Sequence, residues 1–489
     1  MTQKNKWNST LNFLLAMIGS AVGLGNIWRY PYIAYTNGGG TFLIPYIISI
    51  LCMGIPLLFI EYGAGFKFKA GISKILTHIN KKFEYIAWYI QLIPFMIVTY
   101  YSCIVAWDLI YIPSSLTKAW GTNPDNFFTH TVLNSIDGFQ GLLSISIYVL
   151  IALMIIWFIA WFISHKNIND GLAKANKILI PLLFAIMTAI IIYSLTLPGS
   201  TIGVNAFLRP DWTEITNHNI WLAAFGQIFF SLNLGLTIVI AYASYLPDDV
   251  NIPKNAILVA IANSAFEVAT AIGIFAILGH MSQTTHTPLN QLITQGTGLA
   301  FIAFPQVLNI IGKAGYIIGP LFFMCILFAG ITSLISLIEP ITLSVTNKFG
   351  HKRKYIVSVV CLSGFIISIL YTTSAGSAII GIYDGFLSQF ALLLNALLEI
   401  IIIGWIYGVD KLVDGINKNS EKVKLGTKWI IAVKYVIPLI ITTLWITGII
   451  TLIKTEDTFQ LTMLTILIIL LITVPAILTK LPAEVNDYN

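Results

Sequence analysis

The stretch GSAVGLGNIWRYP at residues 19–31 decides the fold of this chain. It lies within an apolar segment long enough to cross a membrane, yet it contains three glycines, an asparagine and a proline. Backbone in hydrocarbon must satisfy its own hydrogen bonds, so a membrane helix is interrupted only where the unwound residues line a cavity. Half-helix ends at such a break offer amides to anions and carbonyls to cations. The stretch therefore predicts a broken membrane helix beside a site for a zwitterion and a cation.

A second apolar segment, FFSLNLGLTIVIAYASYLP at 229–247, is interrupted in the same way by Ser231, Asn233 and Gly235. A glycine-rich packing face between helices is the alternative explanation for a single motif of this kind. Here the two breaks fall in the first and the sixth apolar segments, five segments apart. That spacing favours an inverted five-helix repeat, the architecture of many secondary transporters.

Composition independently indicates a membrane protein. Of 489 residues, 57% are hydrophobic and 10% are charged, against roughly 25% charged in soluble domains. The mean hydropathy is +0.84. We predict an all-α fold with twelve transmembrane helices. Their predicted ranges are 11–36, 41–66, 88–114, 142–163, 171–196, 218–245, 255–280, 312–345, 355–373, 379–408, 429–453 and 459–479.

Short polar connections predict one integral-membrane domain over residues 1–489. Helices 1–5 (residues 1–196) form the first predicted repeat, helices 6–10 (218–408) the second, and residues 429–479 add two accessory helices. Discontinuous helices 1 and 6 occupy matching places in the two repeats. The connection 281–311 is long and semi-apolar, which favours a re-entrant or capping hairpin over a plain loop.

Lysine and arginine predict the orientation. With the N-terminus in the cytoplasm, 22 of the 27 Lys and Arg residues fall on the cytoplasmic side and 5 on the other. By the positive-inside rule, we expect both termini in the cytoplasm and the protein in the cell (plasma) membrane. The net charge of +6 is then a topology signal, so no nucleic-acid partner is expected.

Nothing in the sequence favours an enzyme or a channel. The four cysteines lie in apolar runs without CxxC spacing, and the seven histidines form no HxxxH or HExxH pair. A paired acid, an activated nucleophile and a repeated pore filter are also lacking. We therefore expect neither a catalytic nor a pore function.

Six ordered motifs resemble the neurotransmitter/sodium symporter family, whose members have the leucine-transporter fold, and they suggest a prokaryotic amino-acid transporter. The resemblance covers Trp7 to Lys411. Its motifs are GSAVGLGNIWRYP at 19–31, NGGGTFLIPYI at 37–47, GIPLLFIEY at 54–62, GQIFFSLNLG at 226–235, AYASY at 241–245 and FAGITS at 328–333.

The resemblance implies two sodium sites made only of oxygen ligands, which suit a hard cation. The implied ligands of site 1 are the Ala21 carbonyl, Asn26, Ser231, Asn263 and the substrate carboxylate. For site 2 the resemblance implies Gly19, Val22, Ala329, Thr332 and Ser333. For the two hydroxyls of site 2, hydrogen bonding to the preceding helical turn is the alternative role.

The resemblance also implies where the substrate binds. Its carboxylate would contact the Leu24 and Gly25 amides and the Tyr101 hydroxyl, and its amine the carbonyls of Ala21, Phe230 and Ser231. Gly23 stands where monoamine transporters of the family carry an aspartate, so the substrate should bring its own carboxylate. The implied side-chain pocket consists of Ile97, Phe230, Asn233, Leu236, Ser333 and Leu337, which favours a neutral, hydrophobic amino acid.

Gate residues follow from the same resemblance. Arg29 and Asp384, with Phe230 as a lid, form the implied outer gate. The inner gate keeps Trp7 and Tyr245, but Lys4 and Asn347 replace the family's arginine and aspartate. We expect this inner gate to be less strongly latched by charge, because a Lys–Asn contact is not bidentate.

Glu267 lies one helical turn after Asn263. Chloride-dependent members of the family have a small polar residue at this position, so a carboxylate here predicts transport without chloride. We expect Glu61, Glu339 and Glu399 to be structural, with some satisfying unwound backbone. A packing role remains the alternative for Glu267.

The sequence thus predicts a sodium-coupled symporter for a neutral, hydrophobic amino acid, working by alternating access with two sodium ions and no chloride. An amino-acid sensor or a differently coupled transporter of the same fold remains the alternative. Expected partners are the amino acid and membrane lipid, and the choice between monomer and homodimer stays open.

Overall fold

The computed structural model describes residues 6–293, 296–452 and 457–483, and these residues form helices without any β-strand. Ten helices are long and apolar enough to cross a membrane, and a bent pair makes an eleventh span. We number the spans by their places in the predicted series. The ten are α2 Gly40–Phe68, α3 Lys81–Thr117, α4 Ile147–Ser164, α5 Asn169–Thr196, α7 Ile252–Thr285, α8 Gly312–Phe349, α9 Arg353–Thr372, α10 Gly376–Gly408, α11 Thr427–Ile450 and α12 Thr458–Lys480.

The bent pair is α1, with halves α1a (Thr10–Ala21) and α1b (Leu24–Thr36) that meet at 53°. Between them, Val22 and Gly23 are extended. The side chain of Asn26 accepts a hydrogen bond of 2.9 Å from the Gly23 amide, which caps α1b. The first break therefore lies inside the stretch that predicts it.

The sixth predicted helix is also in two halves, α6a (His218–Ser231) and α6b (Ile238–Ser244). Each half is too short to cross a bilayer alone, so the count of twelve crossings stays a prediction. Left-handed backbone at Asn233, Gly235 and Thr237 separates the halves. The Gly235 amide donates to Glu61 Oε1 at 2.8 Å. A buried carboxyl from α2 thus satisfies unwound backbone, which is the structural role predicted for Glu61.

Helices α3 and α8 form the centre of the bundle and pack extensively on each other. The most apolar stretch of α8 is 83% buried and that of α3 is 67% buried, whereas those of α11 and α12 are each 22% buried. The last two helices are therefore peripheral, and apolar side chains such as Leu439 face outward. Such exposure is stable only in a lipid environment.

The connection after α7 folds back over the bundle. Residues Leu299–Ile310 are helical, and Phe301 packs its ring against Trp28 and Trp107, with centroids 6.4 and 5.9 Å apart. This arrangement supports the capping hairpin over the plain loop. It also places Gly296 and Thr297 at the cavity described next.

Candidate substrate and cation sites

A cavity of about 380 Å³ lies where the two broken helices face α3, α8 and α10. All twelve residues predicted to contact a substrate line it. They are Ala21, Gly23, Leu24, Gly25, Ile97, Tyr101, Phe230, Ser231, Asn233, Leu236, Ser333 and Leu337. Residues from segments more than 300 positions apart in sequence thus meet around one space, whereas their binding roles stay predictions.

One end of this cavity is suited to an anion. A Cβ built on Gly23 would lie 3.1 Å from Ser333 Oγ and 3.5 Å from the Tyr101 hydroxyl. That hydroxyl is buried beside the Leu24 amide and the Ser333 hydroxyl, without a well-aligned hydrogen bond among the described residues. The amides of Leu24 and Gly25 open α1b, where helix amides have no acceptor within their own helix. Hydroxyl and amide donors therefore surround the space that the missing side chain of Gly23 leaves.

The side chains predicted for sodium site 1 form one hydrogen-bonded chain. Asn26 Nδ2 donates to Asn263 Oδ1 at 2.7 Å, and Asn263 Nδ2 donates to Ser231 Oγ. Asn263 lies fully buried on α7, so the chain joins both broken helices through a third one. Their oxygens are neutral and hard, as a sodium ion requires.

The residues predicted for sodium site 2 come from α1a and α8. Ser333 Oγ donates to the Ser20 carbonyl at 3.4 Å, which holds α8 against the break in α1. Thr332 Oγ1 contacts the Phe328 and Ala329 carbonyls, both at 3.0 Å, in the back-bonded arrangement that the sequence analysis gives as the alternative. A hydroxyl that donates its proton still has lone pairs for a cation, so the role of Thr332 stays a prediction.

At the far end of the cavity, the two charges of the predicted outer gate are not paired. The Arg29 guanidinium lies over the ring of Phe230, with Cζ 4.0 Å from the ring centroid. Asp384 instead accepts a hydrogen bond of 2.6 Å from the Tyr100 hydroxyl. No salt bridge between Arg29 and Asp384 occurs within the described ranges. Aromatic partners thus hold the two charges separately on the cavity wall.

The end of the bundle where Lys6, Lys69 and Lys348 lie is held together by direct contacts. Trp7 donates through its indole to the Tyr242 carbonyl at 2.9 Å and through its amide to the Tyr245 carbonyl at 3.0 Å. These bonds fasten the chain before α1a to α6b. Lys4 lies outside the described residues. Asn347 Oδ1 accepts a hydrogen bond of 2.8 Å from the Gly71 amide.

A buried ion pair at this end is absent from the sequence-based predictions. Arg353 makes two hydrogen bonds to Glu339, at 2.7 and 2.6 Å, and the Tyr245 hydroxyl donates to the same carboxylate at 2.8 Å. The Glu339 side chain is 1% exposed. A buried ion pair therefore links α8, α9 and the end of α6b, and the weaker latch at Lys4 and Asn347 stays a prediction.

Asp248 adds a surface contact at the same end. Lys69 Nζ lies 3.3 Å from its carboxylate and also donates to the Leu246 carbonyl at 2.6 Å. The hydrogen bond from Lys69, and then its charge, hold the pKa of Asp248 below its usual range. Because this carboxylate is largely exposed, the contact orients the chain after α6b more than it stabilises the fold.

We expect Arg353→Gln to destabilise the protein by about 3–5 kcal/mol, because it leaves the Glu339 carboxylate buried without a cation. Thermal unfolding in detergent measures the change. The matched control is Lys434→Gln, which breaks an exposed pair with Asp410 and should cost less than about 1 kcal/mol. Adding Glu339→Gln to Arg353→Gln should restore part of the loss. Equal unfolding temperatures for the two single variants would argue against a buried latch.

Glu267 lies beside site 1 and is fully buried. Its carboxylate accepts hydrogen bonds from the Tyr46 hydroxyl and from Gln227 Nε2, the latter at 2.9 Å. The sequence predicts the role of Glu267 but not these two partners. Together they surround the buried carboxyl group with hydrogen-bond donors beside site 1, and its replacement of chloride stays a prediction.

A cavity between two broken helices, lined by hydroxyl and amide groups, is typical of a secondary transporter rather than of a channel or an enzyme. The profile of the Sodium:neurotransmitter symporter family matches residues 4–134 and 121–482. The chain belongs to that family.

Similar proteins are transporters too. An uncharacterized sodium-dependent transporter of Methanocaldococcus jannaschii is 40% identical over 440 residues, which cover 90% of this chain and 89% of the relative. The sodium- and chloride-dependent GABA transporter 2 of Mus musculus is 28% identical over 85% of this chain and 75% of its own length. The sodium- and chloride-dependent creatine transporter 1 of Homo sapiens is 28% identical over 84% and 72%. This chain is thus a multi-pass membrane transporter of a sodium-dependent family.

Proposed function

We propose that this protein is a sodium-coupled symporter for a neutral, hydrophobic amino acid. The observation that carries the proposal is the space beside Gly23, where the buried Tyr101 hydroxyl lies next to the Leu24 amide and the Ser333 hydroxyl. A substrate carboxylate would fill this space and complete the ligands of sodium site 1. Ion and substrate would then strengthen each other's binding, as coupled transport requires.

The remainder of the cavity favours an apolar side chain. Ile97, Leu236 and Leu337 contribute hydrocarbon to its lining. Asn233 is the polar exception, but its amide nitrogen already donates to the Ser20 carbonyl. A charged or strongly polar substrate side chain would lose its hydration here without equivalent partners. Leucine-like and aromatic amino acids both satisfy this requirement.

Two sodium ions per cycle would drive concentration of the substrate. One charge crossing 100 mV is worth ~2.3 kcal/mol, and a tenfold sodium gradient adds about 1.4 kcal/mol per ion. Two ions therefore supply roughly 7 kcal/mol, enough for accumulation on the order of 10⁵-fold. We place the protein in the cell membrane with both termini in the cytoplasm, so transport of a zwitterion would be electrogenic.

The direct test is a thermal-shift screen of the twenty amino acids, in sodium and in potassium. We expect hydrophobic amino acids to raise the unfolding temperature only in sodium. Stabilisation by amines that lack a carboxylate, with none by amino acids, would overturn the proposal. An amino-acid sensor of the same fold would pass this screen but would not move substrate across a vesicle membrane.

We also expect transport without chloride, because the Glu267 carboxylate supplies negative charge beside site 1. Replacing chloride by gluconate should leave uptake unchanged. In Glu267→Ser, whose hydroxyl carries no charge, uptake should fall at least about tenfold in gluconate and recover in part with chloride. Glu267→Gln, which lacks the charge but keeps the size, is the matched comparison. Uptake by the wild type that collapses in gluconate would contradict this prediction.

A further inference from the structure

A buried amide oxygen on α5 lies against Gly19, in the last turn of α1a before the break. Asn176 is fully buried, and its Oδ1 has no hydrogen-bond partner among the described residues. Its Nδ2 donates to the Leu172 carbonyl of the preceding turn at 2.9 Å, which fixes the amide orientation. The free oxygen lies 2.2 Å from the position that a Cβ on Gly19 would occupy. Only glycine at position 19 leaves room for it.

The burial of the Asn176 oxygen without a hydrogen-bond partner needs a physical explanation. Leaving a buried polar atom unpaired costs roughly 1–3 kcal/mol, and an apolar side chain of similar size would remove this cost. The oxygen lies against Gly19, whose carbonyl is one of the five predicted ligands of sodium site 2. A neutral amide oxygen is also the kind of ligand that hard cations accept.

We propose that Asn176 is a further ligand of the site 2 cation, contributed by α5 in addition to α1 and α8. The inference rests on the proposed sodium coupling. With Asn176 as a ligand, α5 would take part directly in cation binding. The same helix also holds the chain before α1a. Asn169 accepts from the Asn8 amide at 3.0 Å and donates to the Lys6 carbonyl at 2.8 Å. Separation of α1a from α5 would therefore remove an ion ligand and free the N-terminal segment together.

The test is a sodium titration of thermal stability without substrate, at constant ionic strength with potassium as the balancing ion. Without substrate, site 1 lacks its carboxylate ligand, so the response reports mainly on site 2. Asn176→Leu should raise the sodium concentration of half-maximal stabilisation about tenfold. Asn176→Asp keeps an oxygen and adds charge, so it should lower that concentration. Ser194→Ala, a buried back-bonded site further along α5, should leave it unchanged.

The outcomes separate the alternatives. If Asn176 only packs against Gly19, its variants will change the unfolding temperature equally in sodium and potassium, and the half-maximal sodium concentration will not move. That result overturns the inference. Should Asn176→Leu fail to fold, an unchanged midpoint in Asn176→Asp overturns it as well. A wild-type protein that does not respond to sodium defeats both the proposed function and this inference.

Discussion

Gly23→Asp is expected to abolish amino-acid uptake, with a loss of at least about 100-fold. A Cβ at this position would already lie 3.1 Å from Ser333 Oγ, and the added carboxylate would fill the space proposed for the substrate carboxylate. Two like charges a few ångströms apart in a cavity shielded from water repel each other by several kcal/mol. Uptake of labelled amino acid into proteoliposomes measures the loss.

A graded series separates steric from electrostatic effects at this position. Gly23→Ala adds a methyl group that Ser333 must accommodate by a few tenths of an ångström, so we expect a partial loss of about tenfold. Gly226→Ala on α6a is the control, because a Cβ there meets nothing within 4 Å. Gly23→Asp with uptake close to that of Gly226→Ala would show that the substrate carboxylate binds elsewhere.

Asn263→Leu is expected to remove the sodium dependence of substrate binding. The change deletes a predicted sodium ligand and leaves Asn26 Nδ2 and Ser231 Oγ buried without their partners. Because the site 1 ion would contact the substrate carboxylate, losing one of its ligands should weaken amino-acid binding in sodium at least about 100-fold. Calorimetric titration of the amino acid at several sodium concentrations gives the measurement.

Thr270→Val is the matched control on the same helix. Its hydroxyl is buried and lacks a hydrogen-bond partner within the described ranges, so an isosteric apolar side chain should be tolerated. Sodium half-saturation in Asn263→Leu equal to that in Thr270→Val would mean that Asn263 holds no ion. In that case the hydrogen-bonded chain with Asn26 and Ser231 would be structural.

The features that the sequence predicts well are those with a local cause. Glycines and a capping asparagine between apolar runs specify where α1 and α6 unwind, and the observed breaks fall inside the predicted stretches. Eight of the twelve predicted cavity residues lie within motifs that match the family residue by residue, and the other four are placed from the same resemblance. Such a match specifies positions as well as chemistry, which is why all twelve predicted residues line one space.

Pairings between distant side chains have no such local cause. Arg353 is separated from Glu339 by the end of a helix and a turn, and neither residue type indicates its partner. Tyr46 and Gln227 come from α2 and α6a, and only the folded bundle brings them to Glu267. The unpaired Arg29 and Asp384 show a further limit: whether a gate is closed depends on the conformation, which a sequence pattern does not specify.

Under the proposed coupling, sodium entry drives amino-acid entry. Purified protein in proteoliposomes, given an inward sodium gradient, should accumulate a hydrophobic amino acid above its external concentration, in chloride or in gluconate. Dissipating the sodium gradient should release the accumulated substrate. Sodium-dependent binding of the amino acid without any accumulation would contradict coupled transport and identify the protein as a sensor.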